Sequence, residues 1–76
     1  MKYMFFDGYQ FEADGHEEIC TALWKSMKFK MYETLDDWVK GEAEMLTMIY
    51  EEPFRGDSTE HLVNDMLAKG TIKPLI

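Results

Sequence analysis

The sequence predicts an α+β fold, a small single domain spanning 1–76 in which a short antiparallel sheet packs against helices in the order β-β-α-α-β-α. Three observations carry that expectation. An Asp-Gly pair separates two short apolar or alternating runs near the start. Three capping signatures each precede a stretch with helical apolar spacing. The 76 residues, 46 % hydrophobic and 30 % charged, suit one globular domain rather than a disordered chain. A chain of this size buries only about 60 % of its unfolded surface, so helices on short loops need a sheet beneath them to cover their apolar stripes.

The first element is a hairpin over about 2–13. Met4-Phe5-Phe6 and Gln10-Phe11-Glu12 flank Asp7-Gly8, and a type I′ turn, which needs positive φ at both central residues, fits that pair. Strands are expected near 2–6 and 9–13. Asp14-Gly15-His16-Glu17 reads as a helix start, with Asp14 capping the amide three residues on and Glu17 returning the bond. Ile19, Ala22, Leu23, Ser26 and Met27 then keep one helical face, giving a first helix over about 15–28 that ends among lysines.

Thr34-Leu35-Asp36-Asp37 repeats the capping pattern. Leu35, Trp38, Val39, Met45, Leu46 and Ile49 carry helical spacing, so a second helix is expected over about 35–51. Gly41 costs that helix about 1 kcal/mol relative to alanine, a cost that a close approach by a neighbour would explain. Pro53 ends the helix. Pro53-Phe54-Arg55 suggests a short edge strand over about 53–56. Asp57-Ser58-Thr59-Glu60 opens a third helix over about 58–69, with Leu62, Val63, Met66 and Leu67 on its apolar face and Gly70 at its end.

Composition excludes several classes. No apolar run approaches the roughly 18 residues of a membrane span, and the first residues turn acidic too soon for a signal peptide. One cysteine, Cys20, forms no internal disulfide and suits a reducing compartment. The net charge of −7 argues against direct nucleic-acid binding. That charge is uneven, because residues 33–65 hold ten acids against two bases, for −8. Lys25, Lys28 and Lys30 form a separate basic cluster. An acidic middle segment serves either as a solvated face or as a surface that docks on a basic groove.

No motif points to catalysis. His16 and Cys20 are four apart on one helical face and could touch one metal, but a site needs a third ligand and His61 is the only other histidine. With Ile19 in the core, the expected reading is a first-turn histidine and a buried structural thiol, with no metal and no cofactor. Glu17/Glu18, Asp36/Asp37, Glu42/Glu44 and Glu51/Glu52 are carboxylate pairs without the cleft that general acid–base chemistry requires. No Gly-x-Ser-x-Gly or phosphate-cradling glycine loop occurs. The chain therefore reads as a non-enzyme. Trp24, Phe29, Met31 and Tyr32 gather at the end of the first helix and offer an alternative interface, including one for a homodimer.

The order of motifs resembles that of short proteins carried by phages, prophages and mobile elements. After a hairpin come Glu18-Ile19, a central Leu23 and a Ser26-Met27-Lys28-Phe29 turn. A helix opening with Leu35-Asp36-Asp37-Trp38 and containing Ala43-Glu44 follows. Then come Phe54-Arg55-Gly56-Asp57-Ser58 and a closing Leu67-Ala68-Lys69-Gly70. The chain departs from that pattern at Tyr50-Glu51-Glu52-Pro53, where a glycine turn is expected. The resemblance implies no catalytic residues. It implies a small acidic anti-defence protein of the anti-CRISPR type, acting in the cytoplasm of a bacterial host on a protein or ribonucleoprotein with a basic groove. The residues expected to meet that partner are Glu33, Asp36, Asp37, Glu42, Glu44, Glu51 and Glu52.

Overall fold

The structure is a computed structural model that describes residues 1–27 and 32–75. Its elements are β1 (Lys2–Phe5), β2 (Gln10–Glu12), α1 (His16–Ser26), α2 (Leu35–Tyr50), α3 (Thr59–Lys69) and β3 (Ile72–Leu75). The α+β class holds, with three helices against a three-stranded antiparallel sheet of order β2-β1-β3.

The hairpin forms where expected, with Tyr3 opposite Phe11, but its turn differs. The Gly8 amide donates to the Phe5 carbonyl at 2.9 Å, and the Phe5 amide to Tyr9 at 2.8 Å. Within this turn only Gly8 has positive φ, +93°. The connection is thus a turn closed on a left-handed glycine, not type I′, which would also put Asp7 at positive φ. Asp7 instead uses its carboxylate to accept from the Tyr9 amide at 3.0 Å.

Two helix starts match the capping signatures. Thr34 accepts from the Asp37 amide at 3.1 Å, and Ser58 from the His61 amide at 3.1 Å. The start of α1 is shifted by one residue. Gly15 holds the N-cap position without a side-chain bond, and Glu18, not Glu17, reaches back to the Asp14 amide at 3.0 Å. At the other end of α1, Met27 is already extended, so the helix stops at Ser26 rather than near 28. Gly41 does admit a close neighbour, since a Cβ there would collide with the Tyr32 phenol.

The third strand lies elsewhere than predicted. Residues 53–56 form no strand, because Pro53 has no amide to donate and the amides of Phe54 and Arg55 are taken by side chains. The Phe54 amide donates to Thr47 Oγ1 at 3.0 Å, and the Arg55 amide to Asp65 Oδ2 at 2.8 Å. Arg55 closes the tie with Nε and Nη2 bonds to the same carboxylate at 3.1 and 3.0 Å. The sheet is completed instead by β3, so the observed order is β-β-α-α-α-β. Gly70, at φ +77°, ends α3, and Thr71 donates to Met66 across the turn at 2.8 Å. The chain then runs back along β1, setting Ile72 against Phe5 and Pro74 against Tyr3. Pro74 lacks an amide to donate and sits on an edge strand, where that omission is tolerated.

The core joins Phe5, Phe11 and Ile72 of the sheet to Ile19, Cys20, Leu23, Trp38, Leu46, Leu62 and Met66 of the helices. Trp38 is fully buried, and its indole donates to the Met27 sulfur at 3.1 Å. Burying such side chains contributes about 1.5–3 kcal/mol each. This core fixes which face of α2 is left to solvent.

Candidate functional site

The acidic residues singled out in the sequence divide into two groups. Glu33, Asp36, Asp37, Glu44, Glu51 and Glu52 are exposed. Glu42 is not, being 3 % exposed on the buried face of α2 among Trp38, Val39, Ala43 and Leu46. It is therefore withdrawn from the candidate face. The spacing explains why. Glu42 lies four residues after Trp38 and four before Leu46, so all three share one helical side.

Asp37, Glu44 and Glu51 follow one another at intervals of seven. Asp37 and Glu44 stand on the outer side of α2 about 10 Å apart, with a drift of only about 20°, and Glu51 follows just past the helix end. Lys40 is the single cation of α2. Tyr32, Glu33, Asp37, Lys40, Gly41 and Glu44 line one shallow groove of about 450 Å³ on this side. Asp36 points the other way, toward a smaller recess of about 260 Å³ shared with Lys40, Gly56, Asp57 and Ser58. Glu51 and Glu52 continue the negative charge past the helix end. Glu51 caps α2 in the left-handed region at φ +56°, a conformation that L residues other than glycine, asparagine and aspartate rarely adopt.

The buried Glu42 has chemistry of its own. Its Oε1 has no hydrogen-bond partner among the described residues. Burial pushes its carboxyl up to about 7. Cys20 is fully buried, and its thiol is pushed up to about 12, first by burial and then by the negative charges of Glu17 and Glu42. A thiol in that state is neither a nucleophile nor a ready metal ligand. His16 is exposed while Cys20 is buried, so the two do not share a site. Among the described residues, no group of three His, Cys, Asp or Glu side chains is placed to hold a metal. His61 pairs with Asp57 through Nδ1 at 2.8 Å, which holds the Asp57 carboxyl below its usual range.

Of the predicted Trp24, Phe29, Met31 and Tyr32 interface, the two described residues are less open than the sequence suggested. Trp24 and Tyr32 are partly buried and packed on the core, and Phe29 and Met31 lie outside the described residues. The apolar side chains that do reach solvent on α2 are others. Met48 is 79 % exposed, Ile49 55 % and Met45 43 %. Sequence spacing had assigned Met45 and Ile49 to the core. The core arc of α2 is filled by Trp38, Val39, Glu42, Ala43 and Leu46, which leaves these two at its margin.

Comparison of the chain with protein-family models, curated proteins and solved structures finds no match. The acidic face thus rests on its own geometry. Exposed carboxylates along a helix offer a fixed negative surface.

Proposed function

We propose that the chain is a non-enzymatic, protein-binding inhibitor of anti-CRISPR type. Its α2 face docks on a basic, nucleic-acid-binding groove of a host defence complex in the bacterial cytoplasm. The observation that carries this reading is the exposure of Asp37 and Glu44 on the outer side of α2 and of Glu51 at its C-terminal end, with Lys40 as the helix's sole cation. The −8 of residues 33–65 supports it, since such a charge steers a basic partner and repels nucleic acid itself. Glu33, Asp36 and Glu52 extend the same charge on both sides. The protein needs neither metal nor cofactor for this role. Among the described residues, no helix is long and apolar enough to cross a membrane.

The test is an interference assay in bacterial strains carrying different CRISPR systems. The wild-type chain protects an incoming targeted plasmid in at least one strain. Asp37→Lys/Glu44→Lys/Glu51→Lys, checked for folding by circular dichroism, loses that protection. Full protection by the folded triple variant overturns the acidic-face reading. Absence of protection in every strain overturns the inhibitor reading altogether.

A further inference from the structure

The turn between β1 and β2 meets the end of α2 through aromatic rings. Phe6 lies just past β1 and is 50 % exposed. Its ring centre stands 6.3 Å from that of Tyr50 at 75°, and 4.7 Å from that of buried Phe5 at 71°. Tyr50 packs on the core and meets Phe54 at 5.3 Å. Phe6 is thus held between two rings while much of it stays open to solvent, a preorganised aromatic surface.

The far end of this row of rings already carries a cation. Among the described residues, Lys69 is set over Phe54, 5.1 Å from the ring centre. At the Phe6 end the surroundings are negative. Asp7 follows Phe6, and Glu51 and Glu52 follow Tyr50, all three exposed. The last turn of α2 carries no basic residue, so no charge on the helix itself offsets the negative end of its dipole there.

We propose that the Phe6–Tyr50 corner receives an arginine side chain of the basic partner, its guanidinium lying on the Phe6 ring among the carboxylates of Asp7, Glu51 and Glu52. An aromatic face flanked by acids suits that occupant, because a planar guanidinium stacks on a ring and sheds its water more readily than an ammonium does. A second copy of the chain fits poorly, since apposed corners would set Asp7, Glu51 and Glu52 against their own counterparts. The inference rests on the acidic-face reading and adds to it the side chain that the partner brings.

The experiment follows the fluorescence anisotropy of labelled oligo-arginine and oligo-lysine, equal in length and charge, as the purified chain is added. Oligo-arginine is expected to bind the wild type about fivefold more tightly. Phe6→Leu, which keeps an apolar side chain but no ring, loses that preference and binds oligo-lysine as before. Phe6→Tyr, which keeps a ring, retains it. Equal affinities of the two peptides for the wild type overturn the inference and leave the acidic face standing. A preference that survives in Phe6→Leu, shown to be folded by circular dichroism, also overturns it. Failure of both peptides to bind at low salt overturns the acidic face together with the inference. Self-association of the wild type that Phe6→Leu abolishes makes a second copy the occupant and rejects the arginine.

Discussion

Glu42 shows how one side chain sets a property of the fold. Below pH about 4.5 its carboxyl is protonated whether the chain is folded or not, so its burial carries no charge penalty. As pH rises, the unfolded chain releases the proton first, and the folded state loses stability until the buried group also ionises near pH 7. Above about 7 the loss is complete, on the order of 3 kcal/mol. Glu42→Gln cannot ionise. Denaturant unfolding should therefore find variant and wild type close at low pH, with the variant more stable by that amount above pH about 7. A stability gap that stays constant across this range would mean that the carboxyl finds a cation or water. The burial of Glu42 was legible in the sequence, because Trp38-x-x-x-Glu42-x-x-x-Leu46 marks one helical side. Its charge drew it instead into the acidic surface. Met45 and Ile49 were harder to place, since an apolar residue at the margin of a helical stripe is buried only when a neighbouring element reaches it.

At the scale of elements, what was local was legible. Capping residues and apolar spacing act within a few residues, and all three helices formed close to their predicted spans. The third strand was not local. Residues 53–56 look extended, yet Thr47 and Asp65 satisfy the Phe54 and Arg55 amides, leaving no ladder to join. Ile72–Leu75 is short and contains proline, and it becomes a strand only because β1 lies alongside. Asp65 tests the tie between the segment and α3. It accepts one backbone and two side-chain bonds from Arg55, whose guanidinium holds the carboxyl below its usual range. Asp65→Ala should destabilise the chain by about 1–3 kcal/mol in denaturant titrations at neutral pH. Because the carboxyl is held low, the wild type keeps this contribution at neutral pH and loses it on acidification through the depressed range. The difference between wild type and variant should therefore shrink as pH falls. An unchanged difference in acid would show that the bonds do not depend on the charge.

Across the whole molecule, β1 holds the sheet together by pairing with β2 on one side and β3 on the other. Phe5 faces Ile72 across the second ladder, and Ile72 is 1 % exposed. Ile72→Ala should cost about 2–5 kcal/mol, read from the midpoint of chemical unfolding. Probes at the hairpin and on α3 should lose their signals together, since both belong to one core. A variant in which the helices melt separately from the sheet would show that β3 is only loosely attached. The acidic face on α2 depends on this closure less directly. Its carboxylates are surface groups, but the side of α2 that carries them is decided by what the core takes up.

The placement of the central strand has a consequence for synthesis. β1 is made early, yet one of its two edges stays open until residues 72–75 have left the ribosome. At the 5–20 residues per second typical of translation, the nascent hairpin waits for a few seconds while three helices are laid down. During that interval Lys2–Phe5 presents an unpaired ladder that could recruit another nascent chain on the same message. Its length of 4 residues and its lysine keep that edge short and charged.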